Sequence, residues 1–408
     1  MTTPGEIAGG LVVPVIAGIL NGSWNAAFSP AANLAVGKGD DVANKNYDLC
    51  HHHAWVLFQF YAAIANIILC LFWAGGPARV SWIVATASTK SVALVSVFGI
   101  LMGMGITLFG EACRIAGVGM GTNLTIGEIM ILGTLLPLAL NNEITTPSGG
   151  VIIAGLVVAA AGLFLSMKSL QLRNQKEVEL NRRYQENLEN AKVDEENEMA
   201  VARGDEDGGD AGAVNKNTKT TEEEAPPVPH SVFIKIVVCT LAAVLSSTLQ
   251  FAFVFGGELI SIASSFDGPG STPESGYTAI IWLFVIPLST IPNIMYAFFQ
   301  AKDVTIDHLW RCPISRHFKI FFAACLPWIG HINLYGVAAN LLLPPNIAAA
   351  VAWPILMMTT VAWGMILSIY LGEWKDAPHE AQTKQKWGLG LMVVGVAVVM
   401  ASVALDPE

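Results

Sequence analysis

The stretch Val118-Gly-Met-Gly-Thr-Asn-Leu-Thr-Ile-Gly-Glu-Ile-Met-Ile-Leu-Gly-Thr-Leu-Leu-Pro137 decides the fold class. It is long and apolar enough to cross a bilayer as a helix. Its four glycines and Pro137 predict close contact with neighbouring helices. Because a charge at mid-membrane depth costs about 2.5–3.5 kcal/mol on insertion scales, Glu128 is expected to face protein or water. The stretch predicts a close-packed helix beside a polar path, in which Glu128 has either a chemical or a structural role.

The composition places the chain among integral membrane proteins. It has 408 residues, 53% hydrophobic and 13% charged, with a mean hydropathy of +0.53. Soluble domains carry about 25% charged residues. The N-terminus Met1–Glu6 has no basic residue, so the first apolar run is expected to be a membrane span and not a secretory signal. The six cysteines lack metal or disulfide spacing and are expected to be free thiols within helices.

Ten apolar segments are long enough to cross a bilayer, which takes about 17–25 residues. They lie near residues 7–29, 51–74, 91–112, 118–139, 149–167, 231–256, 277–299, 318–343, 345–371 and 387–405. Only a few residues join spans three and four, or spans eight and nine, so both pairs are expected to be tight antiparallel hairpins. The sequence therefore predicts an all-α polytopic membrane protein with ten transmembrane helices.

Lysine and arginine are distributed unequally between the two faces of the membrane. The loops after odd-numbered spans hold 20 of the 22, and the other face, both termini included, holds only Arg79 and Lys90. By the positive-inside rule, the long segment after span five is cytoplasmic and both termini are extracytoplasmic.

A charged segment, residues 168–230, separates an N-terminal five-helix half, 1–167, from a C-terminal one, 231–408. It holds 15 of the 32 acidic residues. Its first part, Leu170–Met199, lacks glycine and is expected to extend span five as a cytoplasmic helix. From Arg203 to His230 it is rich in Gly, acidic residues, Thr and Pro, which predicts disorder over much of the segment. We expect it to tether the two halves, with regulation as the alternative role.

The two halves can be aligned as an internal repeat. Ala17–Phe28 aligns with Ala242–Phe253 without a gap, and later spans align in the same order. An odd number of spans per repeat inserts the second copy upside down, as in secondary transporters, whose substrate sites lie near the midplane at the repeat interface. The aligned pairs include Asn21 with Ser246, Ser23 with Thr248, Asn25 with Gln250, Leu108–Gly110 with Leu334–Gly336, Glu128 with Pro354, Thr134 with Thr360, and Gly155 with Gly395.

Three stretches carry a resemblance to a known family, and the similarity is collinear outside the charged segment. They are Gly103–Gly110 with Arg114 and Met120–Pro137, then Ser246–Phe253, then Leu371–Ala377. On these residues the chain resembles the L-rhamnose–proton symporter family, within the ten-helix drug/metabolite transporter superfamily. The resemblance implies two inverted five-helix repeats, alternating access and proton-coupled uptake of a deoxy sugar. The chain departs from the bacterial pattern at Glu128, Gly336–Asn340 and Pro344–Ile347.

Candidate substrate-binding residues are polar or aromatic side chains deep in the predicted spans. Sugar recognition needs neutral donors and acceptors together with an aromatic ring for the apolar face of the sugar. Interhelical packing, in which polar side chains bond neighbouring helices, is the alternative role. The candidates are Asn21, Ser23, Trp24, Asn25, Gln59, Asn123, Ser247, Gln250, Asn293 and Trp353.

Two titratable residues within the spans are candidates for carrying a coupled proton. A carboxylate buried in a membrane can exchange a proton near physiological pH, and histidine does so without any shift. Glu128 and His331 are therefore the candidate proton-coupling residues. A salt bridge from Glu128 to Arg114, and a structural hydrogen bond for His331, are the alternatives.

The sequence contains no Gly-rich phosphate loop, zinc spacing or nucleophile elbow. His51–His53 are consecutive, so on a helix they cannot all face one metal ion. No catalytic residue, metal or cofactor is therefore predicted, and the chain is not expected to be an enzyme. The expected partners are a small sugar, a proton (or sodium) and the lipid bilayer. Nucleic acid is not expected, and a homodimer is left open.

The prediction is a proton-coupled sugar symporter that works by alternating access. Another transporter of the same superfamily, for a nucleotide sugar or other metabolite, would share the fold. However, Arg114 is the only basic residue near mid-membrane that could bind a phosphate. A non-transporting receptor or scaffold would instead use the acidic segment to recruit partners.

Overall fold

The structure is a computed structural model that describes residues 4–27, 47–116, 118–204, 232–265, 276–300, 314–341, 345–372, 374–375 and 377–405. Within these residues every regular element is helical. A π-helical turn, Phe321–Cys325, joins the helix that ends at Ile320 to the helix that begins at Leu326. The α-helices are α1 Pro4–Ala27, α2 Tyr47–Trp73, α3 Pro77–Thr86, α4 Thr89–Ala116, α5 Val118–Leu140, α6 Pro147–Gly204, α7 Val232–Phe255, α8 Gly257–Ser264, α9 Ala279–Gln300, α10 Ile314–Ile320, α11 Leu326–Leu341, α12 Pro345–Tyr370 and α13 His379–Ala401.

Nine helices in the described ranges are long and apolar enough to cross a membrane. They are α2, α4, α5, α6, α7, α9, the continuous α10–α11, α12 and α13, which match predicted spans two to ten. Helix α1 occupies the predicted first span, but its described apolar stretch, Gly9–Trp24, is shorter than the other nine. The all-α polytopic architecture is therefore confirmed, and the number of ten spans stays a prediction.

The two predicted hairpins are confirmed. One residue, 117, separates α4 from α5, and residues 342–344 separate α11 from α12. In the first hairpin a Cβ on Gly121 would lie 2.7 Å from the carbonyl oxygen of Ala112. Only glycine permits so close an approach of two helix backbones.

Helix α5, which contains the stretch Val118–Pro137, is central and contacts α4, α6, α7 and α12. A different neighbouring helix packs against each of its tightly packed glycines. Beyond the contact of Gly121 with α4, a Cβ on Gly127 would lie 2.6 Å from Cδ1 of Leu163 on α6. A Cβ on Gly133 would overlap the indole of Trp353 on α12.

Most of the helix pairs in contact are preserved when each predicted span is exchanged for the span five places along. Helix α1 packs on α11 and α12, and its counterpart α7 packs on α4 and α5. Helix pairs α2–α9, α5–α12 and α6–α13 join a span to its own counterpart. The α6–α13 pair is antiparallel, because Gly155 lies against Gly395 and Gly162 against Gly388. An inverted repeat requires this orientation.

Helix α6 continues beyond the predicted span five as a long arm. The predicted helix over Leu170–Met199 is confirmed and extends to Gly204. The segment 168–230 is helical up to that residue because its first half lacks helix breakers, and the disorder expected beyond it stays a prediction. The remaining residues, 205–230, lie outside the described part of the chain. At its base the arm is held by the Arg173 guanidinium, 5.1 Å above the ring of Trp374.

Candidate functional site

A cavity of about 90 Å³ lies among α1, α4, α5, α7, α9, α11 and α12. Both halves of the chain therefore contribute to its walls. Its polar lining comes from Asn21, Ser246, His331 and Tyr335, and four of its aromatic residues are Trp24, Trp282, Trp328 and Trp353. Neutral polar groups combined with flat rings can bind a small uncharged polyol.

The lining positions largely follow the predicted alignment of the two halves. Asn21 and its counterpart Ser246 both line the cavity, as do three matched pairs on α4 and α11. On α5 and α12, the lining residues Ile126 and Trp353 lie one residue apart in the predicted alignment. The pairs on α4 and α11 are Met102 with Trp328, Ile106 with Ile332, and Phe109 with Tyr335.

Asn21 and Trp24 of α1 are fixed by a short chain of hydrogen bonds that ends at Thr360 on α12. Asn21 Nδ2 donates to Thr360 Oγ1 at 3.1 Å, and Asn21 Oδ1 accepts from Trp24 Nε1 at 2.7 Å. The Trp24 ring stacks on Phe58, with ring centroids 5.2 Å apart and planes 10° apart. The indole is thereby held as a rigid wall of the cavity.

The two other candidates on α1 are not among the residues that line the cavity. Ser23 Oγ donates to the carbonyl oxygen of Ile19 at 2.7 Å and accepts from Trp363 Nε1 at 2.9 Å, so it joins α1 to α12. The side chain of Asn25 lies outside the described part of the structure. The geometry therefore favours a packing role for Ser23.

Tyr335 and Trp353 form one side of the cavity. Their rings meet edge to face with centroids 5.3 Å apart, and Trp353 Nε1 donates to the carbonyl oxygen of Ile129 at 3.3 Å. The hydroxyl of Tyr335 donates to Gln250 Oε1 at 3.1 Å. Gln250 is thus a direct support of a lining residue.

Four predicted substrate residues are buried but do not line the cavity. Asn293 accepts from Trp55 Nε1 at 3.1 Å and donates to the carbonyl oxygen of Gly103 at 3.0 Å, which joins three helices. Ser247 donates to Ala243 of its own helix at 2.8 Å. Asn123 and Gln59 are buried, and both amide atoms of Gln59 lack a hydrogen-bond partner among the described residues.

The two proton-coupling candidates lie in different surroundings. Glu128 lies between α5 and α7, where its Oε1 accepts from Thr240 Oγ1 at 3.2 Å. Its Oε2 is buried and has no hydrogen-bond partner in the ranges described. The side chain of Arg114 is not described, so their predicted salt bridge stays a prediction. His331 lines the cavity and packs edge-on against Trp328, with ring centroids 6.0 Å apart.

Sequence reasoning missed several lining residues. Ser246, Trp282, Trp328 and Tyr335 were not selected, although the repeat alignment pointed to Ser246. Ser246 is the counterpart of the selected Asn21. Across the described ranges, no three His, Cys, Asp or Glu side chains are grouped so that they could hold a metal ion.

These observations define the class: an all-α polytopic membrane protein with an aromatic and polar cavity between its helices. The chain is 28% identical over 127 residues to the L-rhamnose-proton symporters of Escherichia coli O9:H4 (strain HS) and Shigella dysenteriae serotype 1 (strain Sd197). This match covers 30% of the chain and 34% of each relative, about a third of the curated relatives' length. No protein-family profile matches the chain, and no solved structure matches it.

The comparisons therefore support the resemblance to L-rhamnose–proton symporters over part of the chain. Membership of the drug/metabolite transporter superfamily stays a prediction.

Proposed function

We propose that the chain is a secondary active transporter that carries a small sugar across a membrane by alternating access, coupled to a proton. The observation that carries the proposal is the cavity shared by both halves, with Asn21, Ser246 and Tyr335 among aromatic rings. The partial similarity to L-rhamnose-proton symporters supports the same substrate class and coupling ion.

Alternating access also explains why the two halves would be related. In a transporter built from an inverted repeat, the conformations open to opposite faces use equivalent contacts with the two halves exchanged. The substrate lies at the interface between the halves. The contacts that survive exchange of the halves, above all the antiparallel pair α6–α13, support this relation. The cavity lies between the counterpart pairs α1 and α7, α4 and α11, and α5 and α12.

We assign the proton to Glu128, with His331 as the second candidate. Glu128 Oε2 is a buried, unpartnered carboxylate oxygen in the described structure, and protonation would remove the cost of burying its charge. Thr240 links Glu128 to α7, so a change in protonation would alter a contact between the two halves. His331 would instead exchange its proton beside the sugar.

Uptake into proteoliposomes tests the substrate class. The purified chain should accumulate radiolabelled L-rhamnose when a pH gradient is imposed, and excess unlabelled sugar should compete. Uptake of a nucleotide sugar without uptake of any free sugar would favour the other transporter class. Binding and uptake of neither would favour a receptor or scaffold.

The same vesicles test the coupling group. Glu128→Gln should abolish accumulation driven by the pH gradient but retain exchange of labelled for unlabelled sugar, which needs no net proton movement. Glu143→Gln, in the loop between α5 and α6, is the matched control and should behave as wild type. If Glu128→Gln accumulates sugar at the wild-type level, Glu128 is not the coupling group, and His331→Gln becomes the decisive variant.

A further inference from the structure

The candidate coupling residue Glu128 and the cavity use different residues of the same two helices. Glu128 is not among the lining residues, although Ile126 and Ile129 of α5, close to it in sequence, line the cavity. On α7, Thr240 donates to Glu128 Oε1 at 3.2 Å, and Leu249 of the same helix lines the cavity. Protonation of Glu128 would therefore act on a bound sugar through the packing of α5 against α7.

Trp353 connects one wall of the cavity to α5. Its Nε1 donates to the carbonyl oxygen of Ile129 at 3.3 Å, and Ile129 directly follows Glu128 in the chain. A Cβ on Gly133, one turn further along α5, would overlap the indole, so the ring lies directly against the α5 backbone. A displacement of α5 at Glu128 would thus move the Trp353 ring or break its hydrogen bond.

Tyr335 connects the same wall to α7. Its hydroxyl donates to Gln250 Oε1 at 3.1 Å. Gln250 lies about 15 Å along α7 from Thr240, and a rigid helix can carry a displacement over that length. The rings of Tyr335 and Trp353 meet edge to face with centroids 5.3 Å apart. Because one ring is bonded to α7 and the other to α5, a relative movement of these helices must change how the two rings pack.

The surroundings of Glu128 contain no described charge that could compensate its own. Its Oε2 is buried without a hydrogen-bond partner among the described residues, so burial penalises the ionised carboxylate more than the protonated form. The titratable groups nearby are the Cys239 thiol of α7 and, beside that thiol, Cys113 of α4. No charged side chain described in α4, α6, α7 or α12 acts on Glu128. A change in its charge is therefore met by the contact with Thr240.

We propose that Trp353 and Tyr335 are positioning residues that transmit the protonation of Glu128 to the cavity. This inference rests on the proposed proton-coupled sugar transport and names the residues through which proton and sugar affect each other's binding. The proton changes the contact of α5 with α7 at Thr240, the two rings follow the helices to which they are bonded, and the cavity wall changes shape. By linkage, the bound sugar must change the proton affinity of Glu128 by the same factor.

Calorimetric titration of the purified full chain in nanodiscs at pH 6 and pH 8 tests the proposal. The ratio of the two L-rhamnose dissociation constants measures the coupling, and for wild type it should be about tenfold. Tyr335→Phe should bring this ratio to within about twofold of unity, because it removes the bond to α7. Glu128→Gln should bind L-rhamnose with the same affinity at both pH values.

Two further variants test the same connections from outside the cavity. Gln250→Met removes the acceptor of Tyr335, and Gly133→Ala displaces the Trp353 indole from α5. Neither residue is among those that line the cavity, so a lost ratio in these variants does not come from a lost contact with the sugar. Trp363→Phe is the matched control in α12: its indole bonds Ser23 of α1, and it should keep the wild-type ratio.

The outcomes separate this inference from the proposed function. If wild-type affinity depends on pH but Tyr335→Phe, Gln250→Met and Gly133→Ala keep the wild-type ratio, the two rings do not transmit the proton and sugar transport stands. A ratio retained in Glu128→Gln also overturns the inference. If the wild type binds L-rhamnose equally at both pH values, the inference fails together with the proton coupling, and sugar binding stands. If the wild type binds no sugar, the proposed function fails as well. Should Tyr335→Phe aggregate on size-exclusion chromatography, Gln250→Met replaces it.

Discussion

Polar residues buried in these helices differ in whether the protein itself satisfies them. Asn293 uses both its donor and acceptor atoms within the protein, with Ser289 as a further acceptor at 2.8 Å. Trp282 Nε1 has no partner within the described residues. Because an unpaired buried donor is destabilising, only the first kind stabilises the contacts between helices.

Asn293→Ala should therefore affect stability more than binding. The variant loses the bonds that join α9 to Trp55 of α2 and Gly103 of α4, so the free energy of unfolding should fall by about 1–3 kcal/mol. Thermal unfolding in nanodiscs measures the loss, and L-rhamnose titration of the folded fraction should give wild-type affinity. Met295→Ala, on the exposed face of the same helix, is the control. A large loss of affinity with unchanged stability would return Asn293 to the substrate site.

The exposed carboxylate of Glu258 on α8 provides a pH-dependent contact outside the spans. The Ser88 hydroxyl donates to Oε2 at 2.5 Å and the Ser88 backbone N–H to Oε1 at 2.8 Å. These bonds lower the pKa of Glu258 below its usual 4.5. Since the folded pKa is depressed, the stabilisation is present above the unfolded pKa and is lost as pH falls through the folded pKa.

Glu258→Ala should thus lower the unfolding temperature at neutral pH, and its difference from wild type should shrink as pH falls below about 4.5. Thermal unfolding between pH 7 and pH 3 measures this. In a Ser88→Ala background, which keeps only the bond from the backbone N–H, the same substitution should have a smaller pH dependence. A difference that grows on acidification would show that the contact does not stabilise the ionised carboxylate.

Glycines allow several of the helices to pack closely together. Gly155 and Gly162 of α6 lie in one shared seam with Gly395 and Gly388 of α13, and a Cβ on Gly395 would come within 2.9 Å of the carbonyl oxygen of Gly155. Membrane helices gain association energy from such close backbone packing, because lipid offers no hydrophobic drive to bring them together. The seam is also the contact between predicted counterparts, which run in opposite directions.

Gly395→Ile should separate α6 from α13 and destabilise the fold by about 1–3 kcal/mol, as overpacking does elsewhere. Gly390→Ile is a matched control on the same helix, because nothing lies within 4 Å of a Cβ at Gly390. Thermal unfolding of both variants in nanodiscs provides the measurement. Equal stability of the two would mean that the seam contributes little.

The spans and hairpins could be predicted from the sequence because each depends on local information. An apolar run of about 20 residues satisfies its own backbone as a helix wherever it packs. The rotation of each helix depends on its neighbours and could not be predicted. Ser246 lines the cavity, whereas the adjacent Ser247, selected from the sequence, turns back to bond Ala243. Trp282 was missed because a tryptophan near the start of a span resembles an interfacial anchor.

For the whole molecule, a test of whether function depends on the long arm of α6 distinguishes a transporter from a scaffold. Beyond its base at Arg173 and Trp374, the arm is supported by i,i+4 pairs such as Arg183–Glu179, which are worth a few tenths of a kcal/mol each. The residues that line the cavity lie in helices other than α6. The seam between α6 and α13 uses residues of α6 that precede the arm. Transport by the proposed mechanism therefore does not need the arm.

Residues 178–230 can accordingly be replaced by a 12-residue Gly/Ser linker, which reaches about 20 Å. The variant should take up L-rhamnose near the wild-type rate, because the cavity and the base of the arm are intact. Trp374→Ala in the full-length chain, which frees the base, is the companion variant and should lower stability through loss of the contact with Arg173. A monodisperse deletion variant that binds L-rhamnose but does not transport it would make the arm part of the conformational cycle. If the deletion instead abolished a cellular phenotype while uptake persisted, recruitment of partners through the arm would be a second function.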